Sequence, residues 1–112
     1  MSNAFDWPIV YLHCMHSLIR LKHIVAVARS SSFSIAAEEV GISQPALSRS
    51  IQAFEEEYGL RLFDRGKGGV TLTPAGKLAV EQARGLLASA GDFDRDMRRF
   101  MKHVRRTRGK CD

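Results

Sequence analysis

The run Ser43-Gln44-Pro45-Ala46-Leu47-Ser48-Arg49-Ser50-Ile51-Gln52 concentrates side chains that make directional hydrogen bonds to flat polar edges. The Gln44 carboxamide presents a donor beside an acceptor, the complement of an adenine edge, and Arg49 presents a donor fork that suits guanine or phosphate. Ser48 can address either a base edge or a phosphate. Arg65 and Lys67 flank and enter the glycine-rich run Gly66-Lys67-Gly68-Gly69. Cations on such a tip can reach a phosphate backbone or a narrow minor groove, where negative potential is strongest.

Other chemistries lack their parts. His13, Cys14 and His16 are metal-ligand types, but the chain holds one other cysteine, Cys111, so neither a paired-cysteine zinc site nor a disulfide framework can be built. No metal and no cofactor are expected. The glycine-rich run lacks the G-x-x-x-x-G-K-[ST] spacing of a phosphate loop and reads as a turn. Four scattered histidines and two distant thiols assemble no nucleophile, base and orienting group, so an enzyme is not expected.

The elements that would position these residues are readable from periodicity. Asp6-Trp7-Pro8 resembles a helix start, and Leu18, Leu21, Ile24, Val25 and Ala28 make one helical face. After the Ser30-Ser31-Ser32 break, Phe33, Ala36, Ala37 and Val40 predict a short helix stopping at Gly41. Ser43 is then an N-cap with Pro45 in the first turn of a third helix. Its inward face is Leu47, Ile51, Phe54 and Tyr58, and Gly59 ends it; Gln44, Pro45, Ser48, Arg49 and Gln52 take the other sides, and Glu55-Glu56-Glu57 is expected to face away from any nucleic acid. Leu60 to Leu72 reads as a small β-hairpin that would project as a wing. Thr73-Pro74 opens a long helix predicted to run to about His103.

In that last helix Ala79, Ala83, Leu86, Ala90, Phe93, Met97, Phe100 and Val104 are spaced alternately four and three apart, a heptad seam. Its first half is small and its second half large, so an antiparallel homodimer would set large against small. Two short helices joined by a tight turn and followed by a wing form a helix-turn-helix arrangement of the kind that docks in a DNA major groove.

A chain of 112 residues supports one small domain plus a long helix, and 45% hydrophobic with 26% charged residues suits a folded globular protein. The longest uncharged apolar stretch, Trp7 to Ile19, is shorter than the roughly 20 residues needed to cross a bilayer and lacks a basic leader and a small-residue cleavage site. A cytoplasmic location without membrane attachment is therefore expected. The net charge of +5 is lopsided: residues 1–94 hold nine Lys/Arg and ten Asp/Glu, net −1, while residues 95–112 hold eight and two, net +6. Overall charge thus says little about the folded body, and any nucleic-acid reading rests on positioned residues.

Ser32-Phe33, Ala36-Ala37, Ile42 to Arg49, Leu62-Phe63-Asp64-Arg65 and Leu72-Thr73-Pro74-Ala75-Gly76 together resemble the N-terminal region of LysR-type transcriptional regulators, from about Leu18 to Val104. The resemblance implies a mainly α winged helix-turn-helix of three helices and a β-hairpin wing, then a long dimerising linker helix. It implies transcriptional control by binding double-stranded DNA at interrupted inverted repeats as a homodimer. Ser43, Gln44, Pro45, Ser48, Arg49 and Gln52 would lie at the major groove, Ser32 and Ser34 near phosphate, and Arg65 and Lys67 on the wing.

The expected organisation is an N-terminal extension at 1–17, with tag-remnant residue types at 1–4, the DNA-binding domain at 18–72, the linker helix at 73–104 and a basic tail at 105–112. Ile35 departs from the resemblance, standing where family members often carry a basic or polar residue. Members continue into an α/β effector-binding domain whereas this chain stops at Asp112, so no small-molecule effector site is expected within it. The competing reading from another class is a protein-interaction module that dimerises through the linker helix without reading DNA.

Overall fold

The computed structural model describes residues 18–111; the Asp6-Trp7-Pro8 helix start and the His13, Cys14, His16 group lie outside them. The described elements are α1 (residues 18–30), α2 (Phe33–Val40), α3 (Gln44–Tyr58), β1 (Phe63–Gly66), β2 (Gly69–Leu72) and α4 (Pro74–Cys111). The strands pair antiparallel with Phe63 opposite Leu72 and Gly66 opposite Gly69, which makes Lys67-Gly68 the two-residue turn.

Local signals set the helix boundaries. Ser31 takes a left-handed φ of 55° between α1 and α2, and the Ser32 hydroxyl accepts from the Ile35 amide at 3.1 Å to cap α2. Gly41, at φ 78°, closes α2 by donating to the Ala37 and Glu38 carbonyls, a conformation that costs glycine nothing. Ser43 caps α3 by accepting from the Ala46 amide at 3.2 Å.

The core gathers Ile24 and Val27 of α1, Phe33 and Ala36 of α2, Leu47 and Ile51 of α3, Leu62 before the wing, and Val80 and Ala83 of α4. Burying each large aliphatic side chain contributes about 1.5–3 kcal/mol. On α1 the buried set is wider than the predicted stripe, because Ala26 and Val27 are enclosed while Val25 and Ala28 are only half-buried. Tyr58 also departs from expectation: it is 56% exposed, and its ring rests on Phe54 at 4.9 Å rather than entering the core.

Backbone contacts tie the wing to α4. Thr73 donates its amide to Leu62 O at 3.0 Å and its hydroxyl to Arg61 O, and its Oγ1 accepts from the Gly76 amide at 3.0 Å. Gly76 packs so close to this junction that an added Cβ would sit 2.0 Å from Leu62 O. Gly76, Val80, Ala83 and Leu87 form the face of α4 turned to the body.

Beyond Leu87 the helix continues to Cys111, past the expected end near His103, so most of the segment read as a basic tail is helical. Asp92 with Arg95 and Asp94 with Arg98 pair along its surface, and cationic residues suit the negative end of the helix dipole. Among the described residues no helix is long and apolar enough to cross a membrane.

His23 of α1 is buried, with Nδ1 2.7 Å from Ser50 Oγ of α3. Burial, and secondarily the Arg20 charge, lower its pKa from the usual 6.5. The unfolded chain therefore takes up the proton first on acidification. The His23 contribution to stability is complete above about pH 6.5 and is lost as pH falls through the lowered folded value. The melting temperature is expected to fall as the pH drops below about 6.5, and to fall less in His23→Gln; superimposable pH profiles for the two proteins would remove His23 as the cause.

Candidate nucleic-acid interface

The caps described above aim the first turns of α3 outward. Gln44, Pro45, Arg49 and Gln52 are exposed and Ser48 is half-buried, on the side opposite Leu47 and Ile51. Ser43 sits exposed at the N-cap, so its side chain is committed to the Ala46 amide. Ser32 likewise spends its acceptor on the α2 cap and keeps a hydroxyl proton to donate, while Ser34 is exposed beside it. The starts of both helices thus lie near side chains able to donate to an anion, and helix N-termini favour anions. Ile35 is half exposed on the same short helix and supplies no such group.

Two polar residues make contacts that the sequence reading did not include. Glu55 does not face away: Oε2 accepts the Leu62 amide at 2.7 Å, so the carboxylate locks the end of α3 to the wing. Arg65 lies exposed on wing strand β1 and makes a contact that spacing did not indicate. Its guanidinium lies 3.9 Å over the Phe33 ring and donates to Ser48 Oγ at 3.4 Å. The cause is proximity: Phe33 packs edge-on against Phe63, 6.1 Å away, and presents a ring face within reach of β1. Lys67 remains exposed in the hairpin turn.

Between α3 and β1 lies a cleft of about 270 Å3 whose polar lining includes Ser48, Gln52, Glu55, Arg61 and Arg65. Arg61 was not singled out in the sequence, although its place next to the buried Leu62 is a signal that it turns outward.

The seam of α4 divides. Ala83 has no exposed surface and Ala79 packs against the core, so these two serve the body and have little or no area left for a partner. The exposed row begins at Leu86, 54% exposed, and continues through Ala90, Phe93, Met97, Phe100 and Val104, with Phe93 at 69% and Phe100 at 62%. Met101 lies exposed beside it.

Three helices, a hairpin wing and an extended fourth helix define a winged helix-turn-helix protein. Residues 18–77 match the family described as bacterial regulatory helix-turn-helix protein, lysR family, and the chain belongs to that family. It is 52% identical over 84 residues to the SDS degradation transcriptional activation protein of Pseudomonas sp. (strain ATCC 19151), covering 75% of this chain and 26% of that protein. To the HTH-type transcriptional regulator TfdT of Cupriavidus pinatubonensis it is 51% identical over 69 residues, 62% of this chain and 30% of the relative. The chain therefore spans between a quarter and a third of these relatives' length.

Among solved structures, the BenM_DBD/catB site 1 DNA complex superposes with a TM-score of 0.72 at 38% identity, over 74% of this chain and 93% of that one. The CbnR_DBD-DNA complex gives a TM-score of 0.68 at 36% identity, over 72% and 93%. Full-length CbnR gives 0.69 at 36% identity, over 72% of this chain and 28% of that one.

Proposed function

We propose that this chain is the DNA-reading part of a transcriptional regulator, binding double-stranded DNA as a homodimer at an interrupted inverted repeat. The observation that carries the reading is the polar row on the free side of α3, held by a capped N-terminus in a fold shared with BenM_DBD bound to catB site 1 DNA. Gln44, Ser48 and Arg49 address base edges, with Ser43, Pro45 and Gln52 beside them in the major groove. Ser32 and Ser34 donate to phosphate, Lys67 acts from the wing turn, and Arg65 acts from the wing strand beside Ser48. Leu86, Ala90, Phe93, Met97, Phe100 and Val104 pair the two copies. No chemistry is catalysed in this reading, and the chain works in the cytoplasm, where it meets its operator.

Selection from a random duplex pool tests the reading. The wild-type chain is expected to enrich a dyad-symmetric motif, and Gln44→Ala to lose about 1–3 kcal/mol of discrimination at one position per half-site. Lys67→Ala should instead weaken all duplexes alike and reduce the slope of log K against log salt by about 1. Failure of the wild-type chain to enrich any motif, with binding that ignores salt, would favour a protein-interaction module.

A further inference from the structure

We infer that Arg65 is a positioning residue that biases the Ser48 hydroxyl toward donating, and thereby what Ser48 selects on a base edge; this rests on the DNA-reading function proposed above. A guanidinium only donates, so in the 3.4 Å contact Arg65 Nη2 is the donor and Ser48 Oγ the acceptor. The guanidinium is held in place, because it lies 3.9 Å over the Phe33 ring. That ring is itself buried and braced edge-on by Phe63. A serine within a helix can donate to the carbonyl four residues back, but among the described residues Ser48 makes no such bond. The contact occupies one of the two hydroxyl lone pairs and, being charge-assisted, polarises the O–H bond, which makes Ser48 a stronger donor and a weaker acceptor.

Ser48 therefore meets DNA preferentially as a donor. It favours a base-edge acceptor, such as guanine O6 or N7 or thymine O4, over an exocyclic amine such as cytosine N4. A free serine hydroxyl could satisfy either by rotating. Arg65 narrows that freedom without touching the base, and it does so across elements, since Ser48 stands on α3, Arg65 on β1 and Phe33 on α2.

The test is duplex-pool selection with the whole chain as wild type, Ser48→Ala, Arg65→Gln, the double variant and Phe33→Leu, each first checked by circular dichroism for native helicity. Ser48→Ala identifies the position that Ser48 reads. Arg65→Gln, whose amide can donate or accept, is expected to lower discrimination there about fivefold, the equivalent of roughly one hydrogen bond. The double variant should show no further loss at that position, and Phe33→Leu should shift preference at the same position. If Arg65→Gln weakens every duplex equally and leaves the Ser48 position intact, Arg65 is a phosphate contact and the inference is wrong. If Ser48→Ala changes preference nowhere in a motif the wild type does select, the inference also fails while DNA reading stands. If the wild type selects no motif, the DNA-reading function itself falls.

Discussion

Gly76→Ala is expected to cost about 3 kcal/mol or more, enough to leave much of the chain unfolded. The added methyl would sit 2.0 Å from Leu62 O, 3.0 Å from Leu62 C and 2.9 Å from Leu72 Cδ2. Two of those three atoms are backbone, which cannot rotate aside as a flexible side chain can. Relief requires the start of α4 to back away from the wing, and that motion breaks the Thr73 to Leu62 hydrogen bond and withdraws Val80 and Ala83 from the core. Gly85 and Gly91 of the same helix are the internal controls, with nothing within 4 Å of an added Cβ. Alanine at either should stabilise by up to about 1 kcal/mol through helix propensity alone. Urea unfolding of the three variants checks this; equal midpoints for Gly76→Ala and wild type would show that the junction yields.

Phe93→Glu combined with Phe100→Glu is expected to convert the proposed dimer to a monomer and to lower affinity for a two-half-site duplex by about 10²–10⁴, through loss of the effective concentration that a joined second copy supplies. Both rings are largely exposed and neither belongs to the core of the body, so the winged helix itself should stay folded. The distal half of α4 should lose helicity at the same time, because a helix exposed on all sides draws no stability from tertiary packing. Sedimentation velocity and circular dichroism measure the two effects together. A double variant that still sediments as a dimer would place the interface elsewhere.

The boundaries of this fold are written locally, and its couplings are not. Ser43 with Gly41, Gly59, and Thr73 with Pro74 announce their helix ends because a cap needs only its own neighbours. The outward row from Gln44 to Gln52 follows from the inward spacing of Leu47 and Ile51. Glu55 could not be placed, since its partner is an amide seven residues on, brought near only when the chain turns at Gly59. Arg65 depends on Phe33, thirty-two positions away, and no period encodes that meeting. Ala79 and Ala83 fit the heptad spacing and also abut the helix face that packs inward; small residues satisfy both environments, so spacing alone assigns them to the seam. The helix passes His103 because nothing in Val104-Arg105-Arg106-Thr107-Arg108 stops it.

The unbroken run of α4 is a ruler. Its 38 residues measure about 57 Å, and residues 88–107 are a bare rod carrying most of the exposed apolar row. In an antiparallel pair the crossing point fixes how far apart the two bodies stand. One added heptad between Leu87 and Phe93 would carry each body about 10 Å farther out and turn it by about 20° around the rod. Under the proposed function, the length of helix on the near side of the crossing, which touches no nucleotide, would thereby become part of the operator's grammar.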